Sequence, residues 1–276
     1  MSNKKIIGIT GSTGLLGRTF IKENNKFKFD RFKGRVENKN HIRKWLKNKK
    51  FDVLLHLAAI VPTDIINNNY KKAIDTNFIG TKNLINEILN NKMNTWFFFS
   101  STSHVYKPNK YKLSENSKRK PYSKYGKTKF LAENFLFNIL KKKKLKICIG
   151  RIFSITHPKQ KKYYVVPMIY SKIKKHHFQN EIIFKNLNHD RDFCHLNDLC
   201  NAIAILIKKK STGVYNIASG KKTNLKFIAK YYSKRKKIKF VDNLKKTVIL
   251  ANISKIRKIG FKPKYRINNI LADFKK

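Results

Sequence analysis

The stretch KIIGITGSTGLLG, residues 5–17, runs from a β-branched segment into three spaced glycines and on into the apolar periodicity of Leu15 to Glu23. These signals predict strand, tight turn and helix in that order. At this spacing Gly11, Gly14 and Gly17 serve a tight turn, close approach of backbone N–H groups to a pyrophosphate, and close packing of helix on strand. The turn, with Thr13, Leu15 and Leu16, is therefore expected to hold a dinucleotide, its diphosphate on the positive end of the helix. Roughly 20 residues beyond Gly11 stands Asp30, at the end of the predicted second strand, where a carboxylate can accept from the adenosine ribose hydroxyls. Asp30 favours NAD by repelling a 2′-phosphate, whereas Arg31 and Lys28 would accept one, so NAD and NADP both stay open.

Outward from this turn the pattern repeats. Strand-like runs at 51–57 (FDVLLHL), 95–100 (TWFFFS) and 145–150 (LKICIG) alternate with helix-like segments His41 to Lys47, Thr81 to Asn91 and Lys124 to Leu140. Such alternation implies a parallel sheet covered on both faces through right-handed crossovers. The expected fold is α/β: a Rossmann-type doubly wound parallel sheet over residues 1–150, with a smaller C-terminal substrate-binding lobe. Residues 190–217 are expected to return to the first domain, and the rest of 151–276 to form mainly the lobe. Pro158 and Pro167 bound a stretch without an assigned element. Residues 211–220 (STGVYNIASG) read as turn, strand, turn, and no internal repeat or Pro/Ser-rich linker is present.

A chain of 276 residues is long enough to bury such a core. Cys148, Cys194 and Cys200 are odd in number, apolar in setting and without a C-x-x-C pair, which favours a reducing compartment and argues against a structural metal site. No apolar run has the length of a signal peptide or of a span of about 18 residues. A soluble cytoplasmic protein without a membrane partner is expected. The formal charge of +49 raises polyanions, acidic membranes and phosphorylated substrates as partners. The lysines are spread along the chain (Lys47 to Lys50, Lys141 to Lys144, Lys208 to Lys210, Lys234 to Lys237), and with abundant Asn and Ile they resemble drift toward AT-rich codons. The reading is a generally cationic solvated surface, with no specific nucleic-acid partner, since no finger, RRM or helix-turn-helix signature occurs.

Eight segments, TGSTGLLG (10–17), DVLLHLAA (52–59), NFIGTKNL (77–84), SSTSHVY (100–106), YGKTKFLAE (125–133), RDFCHLNDL (191–199), YNIASG (215–220) and KIGFKP (258–263), resemble in content and order the NAD-dependent epimerase/dehydratase family, extended short-chain dehydrogenases/reductases that act on nucleotide sugars. The resemblance implies Thr102, Tyr125 and Lys129 as catalytic residues, Asn77 as support for the lysine through water, and Leu57, Ala58 and Ala59 beside the cofactor. The residues support the central pair independently, because Tyr125 and Lys129, four apart, share a helical face. An ammonium about 4 Å from a phenol of pKa ~10, at an effective dielectric near ~20, contributes on the order of 4 kcal/mol. Tyr125 is thus expected to be drawn toward the operating pH, where acid/base work is most efficient. Tyr122 is a decoy: four residues on it meets Gly126.

The departures from the family pattern narrow the chemistry. In the family's dehydratases Asp and Glu follow the Thr; here Ser103 and His104 do, so dehydration is not expected. His104 is either a second acid/base group or a packed side chain. Ser154 replaces an asparagine that holds the nucleotide sugar, and Arg35 replaces an Asp near the adenine. Arg191 matches a diphosphate contact, with an ion pair to Asp192 or Asp198 as the alternative, while His195 and Asp198 are expected to brace the turn. The resemblance implies an NAD(P)-dependent nucleotide-sugar 4-epimerase or 4-keto reductase, with Thr102, Ser103, Ser154 and Arg191 on the nucleotide-diphosphate sugar. Its rival is a non-catalytic dinucleotide-sensing or nucleic-acid-associated protein. A homodimer is expected through the segments carrying Leu84, Ile88, Phe130, Phe135 and Leu136, residues that could equally face the sheet.

Overall fold

Runs of β-branched and aromatic residues, each closed by a polar or glycine turn, form six parallel strands: β1 Ile6–Thr10, β2 Lys28–Arg31, β3 Val53–His56, β4 Trp96–Thr102, β5 Lys146–Ile152 and β6 Gly213–Ile217. The computed structural model describes residues 4–61, 63–176, 181–233 and 237–275. Their order in the sheet is β6-β5-β4-β3-β1-β2. The chain steps outward from β1 to β2, then crosses back to lay β3 on the other side of β1. The direction of winding thus reverses between β1 and β3, the position at which open sheets of this kind bind ligands outside the carboxyl ends of their strands.

Five helices connect these strands: α1 Leu15–Glu23, α2 Lys39–Leu46, α3 Gly80–Asn90, α4 Lys124–Lys141 and α5 Leu196–Lys208. The α2 boundary falls two residues before the predicted start because the Asn38 side chain accepts from the N–H groups of Asn40 and His41, capping the first turn. One face of the sheet, with Ile7, Ile9, Val53 and Phe98, packs against α1 and α5; the other, with Leu54, Phe97, Phe99 and Ile147, packs against α2, α3 and α4. Every residue of β4 is buried, which is why its sequence reads as an unbroken apolar run. Phe97, Phe98 and Phe99, each fully buried, contribute about 2–3 kcal/mol apiece by leaving water.

Leu84, Ile88 and Leu136 have no exposed surface and belong to this core. Three of the five residues offered for subunit contact are thus spent on the sheet. Phe130 and Phe135 are half-buried.

The lobe gathers around a separate cluster. Helices Val165–Lys175 and Leu225–Ser233 enclose the paired strands Glu181–Lys185 and Lys237–Val241, burying Val166, Ile169, Phe184 and Ile228 with Leu271 of the last helix. Pro167 lies in the first turn of its helix, where a missing N–H costs nothing. Asp192 ties the lobe's edge to the sheet, its carboxylate accepting from the Ser219 N–H and hydroxyl, the Gly220 N–H and the Ala251 N–H. The three cysteines are free and buried. Among the described residues no helix is long and apolar enough to cross a membrane.

Candidate active site

The carboxyl end of β4 and the start of α4 meet because glycine stands at 126. A Cβ there would collide with the His104 carbonyl oxygen, so only glycine lets the helix approach this closely. Ser123 caps α4 by accepting from the Gly126 N–H at 3.0 Å, and its hydroxyl also lies 3.1 Å from His104 Nδ1. Thr102 Oγ1 accepts from the His104 N–H at 3.3 Å, and the Thr102 hydroxyl lies near enough to the Tyr125 phenol to act on its pKa. Thr102 and Tyr125 thus stand close together at the end of β4 and the start of α4.

The lowered pKa expected of Tyr125 is absent here. Burial, with Tyr164 nearby, pushes its phenol above the ordinary range, opposed by the Thr102 hydroxyl. Helical spacing sets which face Lys129 occupies, but not whether its charge survives there. Lys129 is buried, its Nζ 4.5 Å from the centroid of the Phe99 ring, and burial lowers its pKa to about 7 against the opposing pull of Glu133. Among the described residues this Nζ has no hydrogen-bond partner.

Glu133, one turn beyond Lys129, is held on all sides. Arg151 clamps it with Nε at 2.9 Å and Nη2 at 2.7 Å, Ser101 donates at 2.6 Å and Arg119 at 3.3 Å. Arg151 also donates to the Tyr106 hydroxyl, which donates to Asn216 on β6. The network fixes α4 against β4, β5 and β6. Sequence reasoning missed Glu133 as a site support and gave Arg151 no role beyond its match to the family motif after the strand at 145–150; the signal for Glu133 is an acid on the helical face of Tyr125 and Lys129.

Asn77 sits in a π-helical turn, Asp75–Ile79, a distortion that often marks functional sites. Its amide accepts from the Ile60 N–H and donates to the Ile60 carbonyl and Thr128 Oγ1. It thus braces the loop after β3 against the residue preceding Lys129. His56, unflagged in the sequence, bridges Thr10 at 2.8 Å and Thr81 at 3.0 Å; burial and then the Lys129 charge lower its pKa to about 3, so it is neutral.

The glycine turn has the shape a diphosphate needs. Gly11 holds φ +71°, and a Cβ on it would lie 2.6 Å from the Ala58 nitrogen; one on Gly17 would overlap the Gly11 carbonyl. Gly14 is the N-cap of α1 and provides no side-chain cap, so the N–H groups opening the helix, around Leu15 and Leu16, have none. Thr13 is exposed at the rim, and Leu57, Ala58 and Ala59 are half-buried opposite. The cradle and the unpartnered Lys129 ammonium fit a dinucleotide.

Asp30 faces elsewhere. It pairs in register with Gly8, on the face that carries Phe51, and its carboxylate accepts from Trp45 Nε1 at 2.7 Å and Lys49 Nζ at 2.9 Å. Each carboxylate oxygen thus has a protein donor. Arg31 pairs with Ile9 on the α1 face and is exposed, as is Lys33. Arg35 is bonded to Glu37.

On the other wall, His104 stacks on Tyr122 at 5.1 Å and meets Tyr125 edge-on at 5.7 Å. Burial, then the Arg191 charge, lowers His104 to about 4. Tyr122, the decoy, is thus part of the site's wall. Arg191 pairs with neither Asp192 nor Asp198: it donates to the carbonyls of Asp190 and Thr247 and to Thr247 Oγ1, and its charge reaches His104 and Tyr122. Asp198 accepts from the Lys264 and Tyr265 N–H groups, and His195 caps α5 and reaches Asp273. Ser103 is buried, and Ser154 is half-buried in a short strand paired with Phe193.

The family model described as GDP-mannose 4,6 dehydratase matches residues 9–274. A GDP-6-deoxy-D-talose 4-dehydrogenase of Aggregatibacter actinomycetemcomitans is 31% identical over 213 residues, 73% of this chain and 69% of that protein. A dTDP-D-glucose 4,6-dehydratase of Dictyostelium discoideum is 27% identical over 215 residues, 72% of this chain; the match spans about half of that relative, 48% of its length. Among solved structures, RMD from Pseudomonas aeruginosa complexed with NADPH shares the fold with a TM-score of 0.87 at 17% identity, over 98% of this chain and 97% of that one. The chain belongs to the GDP-mannose 4,6 dehydratase family, within the NAD-dependent epimerase/dehydratase group of extended short-chain dehydrogenases/reductases.

Proposed function

We propose that the chain is an NADP(H)-dependent oxidoreductase acting at C4 of a nucleoside-diphosphate sugar, as a 4-keto reductase or 4-epimerase. The observation that supports this reading is the Thr102 hydroxyl next to the Tyr125 phenol, one turn of α4 before a buried Lys129 ammonium with unused donors. A bound nicotinamide supplies or accepts the hydride. Thr102 orients the sugar O4, and the Tyr125 phenol gives O4 its proton when C4 is reduced and takes it back when C4 is oxidised. Lys129 holds positive charge near the phenolate that remains, and ribose hydroxyls of the dinucleotide satisfy its donors. Ser103 and His104, in place of the family's Asp and Glu, leave no carboxyl pair for eliminating water. At about 4, His104 is neutral near pH 7 and acts there as an acceptor or packed wall.

Arg31 and Lys33 support NADP over NAD. Both are exposed and without an ion-pair partner among the described residues, whereas the one carboxylate on β2, Asp30, is turned away and paired with Lys49. A 2′-phosphate at the end of β2 meets two cations there. The 4-dehydrogenase among the relatives agrees with action at C4. The test is NADPH oxidation with a nucleoside-diphosphate 4-keto-6-deoxyhexose. Wild-type protein should turn over and Tyr125→Phe should lose at least a hundred-fold in kcat. Equal turnover by both proteins would refute the role of Tyr125.

A further inference from the structure

In a doubly wound parallel sheet every helix returns the chain to the same edge, so all helix-to-strand turns lie together at the amino ends of the strands, opposite the active site. Those turns, with the flanking helix ends and strand starts, comprise residues 4–5, 22–28, 44–52, 90–95, 141–146 and 208–212. About half of these residues are lysine, whereas Lys and Arg together make 64 of the chain's 276 residues. On the opposite, active-site edge the cationic share is about that of the whole chain. The excess of positive charge is therefore localised.

All of these lysines except Lys5 are exposed, and among the described residues only Lys49 is in an ion pair. One cation per helix end would follow from the helix dipole; Lys141 to Lys144 and Lys208 to Lys210 go well beyond that. Lys92, Lys143 and Lys210 hold φ of 48°, 50° and 46°, a left-handed position where helices ordinarily end in glycine or asparagine. They precede β4, β5 and β6, three neighbouring strands, so the ammonium groups stand in adjacent turns. Six strands at about 4.8 Å and helical layers about 10 Å away give a lysine face of roughly 25 by 30 Å.

We infer that this edge is a docking surface for an anionic lipid bilayer. The chemistry distinguishes a bilayer from a nucleic acid. The one arginine in the last turn of α2, Arg43, is paired with Glu87 at 3.6 Å, the other cations of these turns are lysines, and the aromatics Phe27, Trp45 and Phe51 are buried or half-buried, so no ring is free to stack on bases. Point charges spread over a broad row of short turns match a plane of lipid phosphates, each lysine near such a surface contributing about 1 kcal/mol. Among the described residues no exposed large apolar side chain stands on this edge to insert, so the attachment is peripheral and reversed by salt. Docked this way, the protein turns its active-site edge toward bulk solvent.

The test is co-sedimentation of the full chain with phosphatidylcholine vesicles, with and without 30% phosphatidylglycerol, at about 0.1 M salt. Binding is expected only to the acidic vesicles, and its loss in about 1 M salt. The quadruple variant Lys142→Glu, Lys143→Glu, Lys209→Glu and Lys210→Glu should bind at least a hundred-fold more weakly. A control with the same charge change on the active-site side, Lys159→Glu, Lys161→Glu, Lys162→Glu and Lys221→Glu, should lose less than tenfold. Equal loss in both variants, no binding to acidic vesicles, or tighter binding of an RNA duplex than of vesicles at the same salt each overturns the inference. Circular dichroism of both variants separates lost binding from lost fold.

Discussion

Lys129→Met isolates the cost of keeping an ammonium in this core. The unfolded chain holds the lysine proton up to about pH 10.4, whereas the folded chain, in which Lys129 is 1% exposed, releases it near 7 because burial disfavours the charge. Between these values the unfolded state binds more protons, so the Lys129 contribution makes stability rise with pH. Below about 7 the full penalty applies, and above about 10.4 it vanishes. At about 1.4 kcal/mol per pH unit the gap sets a ceiling of about 4–5 kcal/mol. Methionine has similar length and no charge, so its own gain or loss in packing adds the same amount at every pH. Urea denaturation of both proteins from pH 7 to 10 should show the variant more stable at pH 7, by up to about 4 kcal/mol, with the difference shrinking steadily toward pH 10. Titration of the many surface lysines cancels in the comparison. A difference that stays constant over this range would mean that Lys129 is not desolvated, and the explanation of its depressed pKa would fail. The variant should also be inactive, so the charge that destabilises the fold is the one the chemistry needs.

Three further outcomes follow from other parts of the molecule. Arg31→Ala should weaken NADPH binding about tenfold, the worth of one charge-assisted contact, and leave NADH within twofold by calorimetry; equal weakening of both would remove the 2′-phosphate assignment. Glu133→Gln leaves the buried Arg151 without its counter-charge, a loss of about 3–5 kcal/mol in denaturant unfolding, and a loss below 1 kcal/mol would show that the clamp contributes little to stability. Lys143→Gly relieves a left-handed lysine and should stabilise the chain by roughly 0.5–1 kcal/mol despite the added freedom of the unfolded state; destabilisation by that substitution would mean that the lysine side chain itself holds the turn.

Features set by short spacing are legible in the sequence. The glycine turn, the strand-helix alternation and the face shared by Tyr125 and Lys129 each depend on residues within a turn or a strand of one another. The partners of Asp30 are not announced by short spacing, because a strand has period two: one residue along β2 exchanges the α2 face, where Trp45 and Lys49 wait, for the α1 face, where Arg31 lies. The protonation of Tyr125 and Lys129 is beyond the reach of spacing, since it depends on what surrounds the pair, namely Phe99, Tyr164 and Glu133 brought in from other elements or from further along the helix.

The lysines show the same limit on a larger scale. Read along the chain, Lys47 to Lys50, Lys141 to Lys144 and Lys208 to Lys210 look scattered, separated by stretches of about 60 to 100 residues. Each run, however, follows a helix and precedes a parallel strand. Crossovers of one hand make that shared local position a shared position in space, so periodic scatter in sequence becomes concentration on one edge. A neutral compositional drift would scatter lysines over both edges alike, because the codon bias has no knowledge of which turn a residue occupies. The unequal edges and the lysines held in left-handed turns are what drift leaves unexplained, and they are what the paired charge-reversal variants weigh.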